Sequence, residues 1–300
     1  FRRSYNNQVT TDGPLGYGWT HNYDILLEVV QTSPTKKIRI WDSDGRAFYF
    51  NQISQTNPDE IPFAGESGVK DRLKQVISTE EYILRRKEGN FTYKFASDGR
   101  LLEISDPNGN KLNLTYSEGL LNQISDNFGK ILSIQYNGES RISSIIDPKR
   151  QTILYEYLNG DLTKVTYPDQ NFVRYAYSNH QLTDKYDTNN NLIGHWEYDT
   201  YGRVTTYYSH LKDGVPQERI DLSYQLEKTV VTRSAGVTTY TTAIIDGINV
   251  VKEIEGCSTC GSVHKRFAYS NRLDLTQVTS IDGIDQYTTQ YTYDNPTNSW

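Results

Sequence analysis

The 300-residue sequence predicts an all-β fold: a curved antiparallel β-meander built from hairpin repeats of about 20 residues. Two observations predict it. An aromatic residue recurs every 20 or 21 residues, and clusters of turn-forming residues recur in step with it. The composition agrees, because 24 residues are tyrosine and none is methionine. Tyrosine is enriched in strands, whereas helical bundles favour leucine, alanine and methionine.

The aromatic series, which we call the anchor row, defines the repeat. Its members are Phe95, Tyr116, Tyr136, Tyr157, Tyr177 and Tyr198. A turn follows each anchor, as at Ser97-Asp98-Gly99, and a second turn falls half a period later, as at Asp106-Pro107-Asn108-Gly109. Asp, Asn, Pro and Gly each favour turns for a known physical reason. Two turns per repeat leave two strands of six or seven residues, so each repeat is one hairpin.

The strand that precedes each anchor alternates apolar and polar residues. In the first repeat Leu112, Leu114 and Tyr116 share one face of the strand. Equivalent strands of a meander lie two strands apart, so equivalent side chains are expected to line up about 10 Å from one another. We call the line beside the anchors the second row; its members are Leu114, Ile134, Tyr155, Tyr175 and Trp196.

The other strand of each hairpin is less regular. Its apolar residues are three positions apart, as in Leu101/Ile104 and Leu121/Ile124. A flat strand does not place residues three apart on one face. We therefore predict either a β-bulge or a late exit from the turn, which brings the leucine inward.

The flanking regions are β-like but less periodic. Residues 38–50 and 82–95 each predict a hairpin, Asn51 to Gly68 predicts a long loop, and Asp71 to Thr79 has room for two helical turns. The predicted organisation has three parts: residues 1–81 with hairpins and the long loop, the regular ribbon 82–209, and degenerate β repeats 210–300.

Several of these motifs resemble a known family. The phrase Tyr198-Asp199-Thr200-Tyr201-Gly202-Arg203-Val204 resembles the YD repeat, and Asp98-Gly99-Arg100-Leu101 is similar. Phe1 to Asn6 and Asp12 to Asp24 resemble the opening segment of Rhs (rearrangement hot spot) proteins. The family includes polymorphic bacterial toxins, a component of insecticidal toxin complexes, and the animal teneurins. The resemblance implies a β-ribbon that winds into a hollow shell, with this chain as an early part of the wall.

The resemblance also implies a function. We expect a non-enzymatic wall segment of a secreted or cell-surface protein, in contact with the rest of the parent shell and with an encapsulated C-terminal toxin. The self-cleaving aspartate motif of many relatives is absent from this sequence. The alternative is a teneurin-like adhesion surface that binds glycans or a receptor. Solvent exposure of Tyr155, Tyr175 and Trp196 distinguishes the two: buried rings favour wall packing, and exposed rings favour ligand stacking.

The motif Cys257-Ser258-Thr259-Cys260 offers two interpretations. A zinc site would add His264 as a third ligand, but a closed structural site needs four, and nothing nearby supplies another. A thioredoxin-like redox role needs a βαβ context that the pattern does not predict. We therefore expect a disulfide between Cys257 and Cys260 if the protein is exported, or two free thiols if it is not.

Neither a catalytic nor a cofactor site is predicted. The five histidines are not accompanied by a phased serine or cysteine partner. Aspartates that begin turns, such as Asp106, Asp126 and Asp147, are expected to accept backbone hydrogen bonds rather than bind calcium. The net charge of −6 argues against a nucleic-acid partner, which would require a basic surface.

The sequence also bears on the membrane and on self-association. No apolar run approaches the roughly 18 residues of a membrane span. Because the chain opens at Phe1 and lacks methionine, we expect a processed product or a piece of a longer protein. Tyr287 to Tyr293 alternates Tyr and Thr with little charge, so this strand is expected to pair edge to edge with a copy of the chain or with neighbouring sequence.

Overall fold

The computed structural model describes residues 1–256 and 264–293. These residues form an antiparallel all-β structure that contains no α-helix, and therefore no helix able to cross a membrane. The predicted fold class is confirmed. The strands are β1 (Arg3–Tyr5), β2 (Asp12–Gly13), β3 (Gly16–Tyr17), β4 (Trp19–His21), β5 (Leu26–Gln31), β6 (Lys37–Trp41), β7 (Ala47–Gln52), β8 (Glu60–Gly65), β9 (Arg72–Val76), β10 (Tyr82–Arg85), β11 (Thr92–Phe95), β12 (Leu101–Ser105), β13 (Lys111–Ser117), β14 (Leu120–Asp126), β15 (Ile131–Tyr136), β16 (Ile142–Ile146), β17 (Thr152–Leu158), β18 (Asp161–Thr166), β19 (Phe172–Ser178), β20 (Gln181–Tyr186), β21 (Leu192–Tyr198), β22 (Val204–Tyr208), β23 (His210–Lys212), β24 (Val215–Gln217), β25 (Ile220–Gln225), β26 (Lys228–Arg233), β27 (Gly236–Ile245), β28 (Ile248–Glu255), β29 (His264–Tyr269), β30 (Leu275–Asp282) and β31 (Asp285–Gln290).

The chain divides into two units, residues 1–191 and 192–300. In unit 1, β5 to β20 form a meander in which each strand pairs with the next. Residues 1–25, which we call the N-terminal segment, add two small pairings, β1 with β4 and β2 with β3. In unit 2, β21 and β22 are followed by β25 to β31 in chain order, and β23 and β24 form an inserted hairpin.

Of the two predicted alternatives, a bulge or a late exit from the turn, the structure has the bulge. Tyr116 pairs with Leu121 while Thr115 pairs with Gln123, so Asn122 is an extra residue in its strand. The extra residue reverses the alternation, which lets Leu121 and the residue three positions later, Ile124, both face the core. The same shift occurs beside six other aromatic residues: Phe95, Tyr136, Tyr157, Tyr177, Tyr198 and Tyr269.

Aspartates close many of the turns, as the sequence predicts. The Oδ1 atom of Asp106 accepts hydrogen bonds from the backbone N–H groups of Asn108 and Asn110, at 2.8 and 2.9 Å. Asp126, Asp147, Asp187 and Asp199 accept the same pair of bonds in their turns. Each of these aspartate side chains thus closes its own turn through local hydrogen bonds.

Two local predictions are wrong. Strand β8 lies inside the span Asn51 to Gly68, which was predicted to be a loop, and it pairs with β7 and β9. The prolines and glycines of this span favour a loop more strongly than the apolar residues Ile61 and Phe63 favour a strand. Pairing with strands on both sides nevertheless satisfies the backbone hydrogen bonds of β8. Residues Asp71 to Thr79 contain strand β9 rather than helical turns, since Leu73 is fully buried between its neighbours in the sheet.

The first strand of the meander also contacts a distant turn of unit 1. The N–H of Leu27 in β5 donates to the carbonyl oxygen of Gly99 at 3.0 Å. Gly99 has a φ of +88°, and a Cβ added to it would lie 1.8 Å from the carbonyl oxygen of Leu27. Only glycine fits both the backbone conformation and the space at this point.

Candidate functional site: the N-terminal segment on the tyrosine rows

The anchor tyrosines of unit 1 tie consecutive hairpins together through their hydroxyl groups. Each donates a hydrogen bond to the carbonyl oxygen of the leucine or isoleucine that precedes a bulge, 15 residues earlier. The pairs are Tyr116 with Leu101 (2.8 Å), Tyr136 with Leu121 (2.9 Å), Tyr157 with Ile142 (2.7 Å) and Tyr177 with Leu162 (2.6 Å). The bulge interrupts the ladder near that carbonyl, so the hydroxyl supplies a donor there.

Burial raises the pKa of Tyr116 to about 12, and it raises the pKa of Tyr136, Tyr157 and Tyr177 as well. Desolvation disfavours the phenolate, so these hydroxyls keep their protons at neutral and mildly alkaline pH. The four groups therefore remain hydrogen-bond donors over the physiological range.

The N-terminal segment covers the part of the second row that contains Tyr155 and Tyr175. Strands β1 and β4 pair so that Arg3 lies opposite His21 and Tyr5 lies opposite Trp19. The ring of Trp19 packs edge-on against Tyr175, with 5.0 Å between centroids. These contacts leave Tyr175 7% exposed and Trp19 6% exposed.

Polar contacts fix the segment to the rows. The Nε1 of Trp19 donates to the hydroxyl of Tyr177 at 2.8 Å. The Nη2 of Arg3 donates to the hydroxyls of Tyr167 at 3.0 Å and Tyr175 at 2.9 Å. Tryptophan and arginine each present a flat surface with donors at its edge, which suits packing on phenol rings while bonding to their hydroxyls.

His180, in the turn that precedes β20, is a second attachment point. The hydroxyl of Tyr5 donates to the carbonyl oxygen of His180 at 3.1 Å and accepts from the N–H of Leu182 at 2.9 Å. The ring of Tyr17 lies 4.0 Å from the ring of His180. On its other side, Nδ1 of His180 is 3.0 Å from Oδ1 of Asp161, a residue that is itself buried.

Backbone contacts bring the segment still closer to the ribbon. The N–H of Ile142 donates to the carbonyl oxygen of Pro14 at 2.8 Å, and the N–H of Tyr17 donates to that of Gly160 at 3.2 Å. Gly16 is required here, because its Cβ would lie 2.3 Å from the carbonyl oxygen of Gly160. An ion pair between Asp12 and Arg141, 2.5 Å apart, flanks these bonds.

Two ionisable groups of the segment are shifted towards their neutral forms. Burial lowers the pKa of His21 to about 3, and the N-terminal ammonium group adds to the shift. Burial raises the pKa of Asp24 to about 6. The ring of His21 packs 4.8 Å from Phe1, and its Nδ1 accepts from the N–H of Tyr23 at 3.3 Å. This histidine is a packed core residue that stays neutral at pH 7.

The residues singled out in the sequence lie in different settings. Tyr155 and Tyr175 are buried, at 5% and 7% exposure, beneath the N-terminal segment. Trp196, in unit 2, is half-buried; it packs 5.6 Å from Tyr207 and extends over Gly194. Phe95, the anchor without a hydroxyl, is fully buried.

The predicted disulfide and the alternative zinc site of the cysteine motif are not tested by the described residues. Cys257 and Cys260 lie outside the described residues. His264 is described, and its Nε2 lies 2.7 Å from Oε1 of Glu253. The described ranges contain no group of three or more residues that could hold a metal ion.

The sequence pattern did not reveal the role of Arg3, Tyr5, Tyr17 and Trp19 in covering the rows. The available signal was their alternation, as in Arg3-x-Tyr5 and Trp19-x-His21-x-Tyr23, which gives two short strands one aromatic face each. A face of that kind needs a covering partner, but the pattern does not identify it. The site as a whole joins two layers through ring packing and hydrogen bonds.

Comparison with known families gives two matches. The profile of the teneurin YD-shell family matches residues 71–248, more than half of the chain. A domain of unknown function, DUF6531, matches residues 1–50, which include the N-terminal segment. Among curated proteins, none matches the chain.

Solved structures also show similarity. The crystal structure of TcdB2-TccC3-Cdc42 covers 91% of this chain and 15% of its own, at 13% identity and a TM-score of 0.37. The match to the crystal structure of TcdB2-TccC3-TEV covers 88% of this chain and 20% of that chain, at 10% identity and a TM-score of 0.33. The match to the crystal structure of TcdB2-TccC3 covers 85% of this chain and 20% of that chain, at 8% identity and a TM-score of 0.35. The chain thus spans a fifth or less of the length of the structures it resembles.

Proposed function

The chain belongs to the teneurin YD-shell family, and we propose that it is a non-enzymatic segment of a β-shell wall that encloses a toxin or other cargo. The observation that carries the proposal is the burial of Tyr155 and Tyr175 beneath the N-terminal segment. Rings that pack within the protein stabilise a wall and are withheld from a ligand. The hydroxyl bonds of the anchor row serve the same role, since they join one hairpin to the next.

The proposed partners follow from that role. They are the remainder of the parent shell and an enclosed C-terminal toxin, in a protein that is secreted or displayed at the cell surface. A further partner is a second copy of the chain or neighbouring sequence, paired along β31. All six residues of this strand, Asp285–Gln290, are exposed. Light scattering is expected to show a mass that rises with concentration, and Thr288→Lys to suppress the rise; a constant monomer mass would refute this pairing.

Enclosure can be tested on the full-length product of the gene that encodes this chain. Limited proteolysis is expected to spare the cargo region of the wild type. Leu162→Ala removes a fully buried side chain from the wall, at a cost of about 2–5 kcal/mol, and should expose the cargo to cleavage. Leu158→Ala in the same hairpin is the matched control, because that leucine is 64% exposed.

The outcomes separate the two functions. Protection that is lost in Leu162→Ala and kept in Leu158→Ala supports a wall around cargo. Cargo that is cleaved equally in all three proteins would refute enclosure. The adhesion alternative predicts instead that the isolated chain binds a glycan array and that Trp196→Ala abolishes the binding.

A further inference from the structure

The cluster around Arg3 contains more hydrogen-bond donors than acceptors. The guanidinium group carries five N–H donors, and the hydroxyls of Tyr155, Tyr167 and Tyr175 each add one. The Nη2 of Arg3 uses the oxygens of Tyr167 and Tyr175 as acceptors. The hydroxyl of Tyr155 also lies within reach of the guanidinium. Once those oxygens have accepted, the hydroxyl protons remain available to donate to a further acceptor.

One donor of the cluster is buried without any acceptor. The Nε of Arg3 is fully shielded from solvent and has no hydrogen-bond partner in the described part of the chain. A buried polar group left unsatisfied costs about 1–3 kcal/mol, and more when it is charged. The cluster is thus one acceptor short at a specific atom.

The positive charge of Arg3 is also uncompensated. Within residues 1–256 and 264–293 no carboxylate forms an ion pair with it, whereas Arg141 of the ribbon pairs with Asp12 of the N-terminal segment. The tyrosines do not supply the missing charge, since burial raises the pKa of Tyr155 to about 12 and that of Tyr175 above its ordinary value. Apart from the two hydroxyl bonds, the guanidinium carbon lies 5.9 Å from the ring centroids of Trp19 and Tyr167.

We propose that Arg3, Tyr155, Tyr167 and Tyr175 form a binding site for an oxyanion, either a carboxylate or a phosphate group. Such a ligand supplies the negative charge and the acceptor oxygens that the cluster lacks. A planar guanidinium matches both groups through paired N–H donors, and phenol hydroxyls add further bonds at the edge of the ligand.

Part of the cluster is accessible to a ligand. Arg3 and Tyr167 are only half-buried, so this part of the cluster faces solvent.

Binding can be measured on the chain itself at pH 7. Sodium acetate and sodium phosphate are titrated separately at constant ionic strength maintained with sodium chloride, and the thermal unfolding midpoint is recorded. The wild type is expected to gain about 2–4 °C once the oxyanion is several-fold above its dissociation constant. A larger gain in acetate identifies a carboxylate ligand, and a larger gain in phosphate identifies a phosphate ligand.

Three variants assign the effect to the cluster. Arg3→Gln is expected to lose the gain, and Arg2→Gln, which changes the exposed neighbouring arginine, is expected to keep it. Because phosphate stabilises folded proteins in general, the difference between wild type and Arg3→Gln is the diagnostic quantity. Tyr167→Phe retains the guanidinium and removes one hydroxyl, so it tests the site even if Arg3→Gln fails to fold. We expect its dissociation constant for the oxyanion to be about threefold to tenfold larger than that of the wild type.

The proposal would be overturned by a wild type that responds to neither oxyanion beyond chloride. It would also be overturned by an Arg3→Gln protein that responds as the wild type does, or by a Tyr167→Phe protein with unchanged affinity. These outcomes do not depend on the enclosure of cargo, which is read out by proteolysis of the full-length protein.

Discussion

Units 1 and 2 share a strand architecture but differ in their cores. Both consist of antiparallel hairpins with bulges beside aromatic residues, and both contain tyrosines that donate to carbonyl oxygens of an earlier strand. In unit 2 the pairs are Tyr224 with Val204, Tyr269 with Val251 and Tyr293 with Leu275. Unit 1 buries more than twenty large apolar side chains, whereas Val231 is the one such residue buried in the described part of unit 2.

The difference shows that the hairpin repeat does not by itself produce a core. A sheet buries a face only when a second layer covers it. In unit 1 the N-terminal segment covers part of the second row, and Trp19 places a large ring directly on Tyr175. In the described part of unit 2 the buried side chains besides Val231 are polar, such as Thr206, which bonds across strands to Asp221.

Removing the ring that joins the two layers should have the largest effect. Trp19→Ala is expected to destabilise unit 1 by about 3–5 kcal/mol, because it leaves a cavity over Tyr175 and frees the hydroxyl of Tyr177. Hydrogen exchange of β17 to β20 should accelerate accordingly. Phe128→Ala, at a ring that is 73% exposed, should leave the exchange within error. Equal effects of the two changes would mean that the segment does not stabilise the rows.

A second comparison sets two glycines of the same turn series against each other. Gly99 and Gly119 both have positive φ angles, but only Gly99 lies against Leu27. Gly119→Ala is expected to cost about 1 kcal/mol for the left-handed conformation alone. Gly99→Ala should cost about 3 kcal/mol, because β5 must move away. Urea unfolding measures both; similar midpoints would show that the contact with β5 contributes little.

Substituting one buried valine in each unit compares the stability contributions of the two cores directly. Val165→Ala in unit 1, at a fully buried residue, is expected to cost about 2 kcal/mol. Val231→Ala in unit 2 should cost about 1 kcal/mol, since no other large apolar side chain is buried in the described part of that unit. Local hydrogen exchange in β18 and β26 measures the respective losses. A larger loss at Val231 would contradict the view that unit 2 has the thinner core.

The smallest expected effect concerns single hydroxyl groups. Tyr177→Phe leaves the carbonyl of Leu162 and the Nε1 of Trp19 without their partner, so we expect a loss of about 1.5 kcal/mol. Tyr269→Phe removes one hydroxyl bond at a less buried position and should cost about 0.5 kcal/mol, because water replaces the donor. Chemical denaturation gives both values; a costlier Tyr269→Phe would reverse the ranking.

The regular ribbon was predictable because its signals are local. The 20-residue period and the alternation before each anchor predicted the hairpins, and the three-residue spacing after it predicted either a bulge or a late turn exit, of which the structure has the bulge. Where local signals conflicted, the prediction was wrong: Pro62 and the nearby glycines suggested a loop at β8, and only pairing with β7 and β9 shows the strand. The family resemblance was carried by phrases such as Tyr198-Asp199, and the match over residues 71–248 confirms it.

The site was less predictable than the fold. Tyr155 and Tyr175 were recognised as a row, but whether they face solvent or another layer depends on residues far away in the chain. Trp19 and Tyr177 are 158 positions apart, and no period links them. The donor surplus at Arg3 is equally hidden, because it emerges only when Tyr155 in β17, Tyr167 in the turn after β18 and Tyr175 in β19 meet at one guanidinium.

The sequence alone determined the strand order, the turns and the faces of the regular ribbon, residues 82–209, because backbone preference and alternation act over a few residues. The tertiary structure decided which face is covered, which carbonyl each anchor hydroxyl reaches, and which turn glycine is indispensable. Gly99 and Gly119 are indistinguishable in the repeat, yet only one lies against another strand. Such contacts depend on how the ribbon places distant residues side by side, and that placement is a property of the whole packed unit.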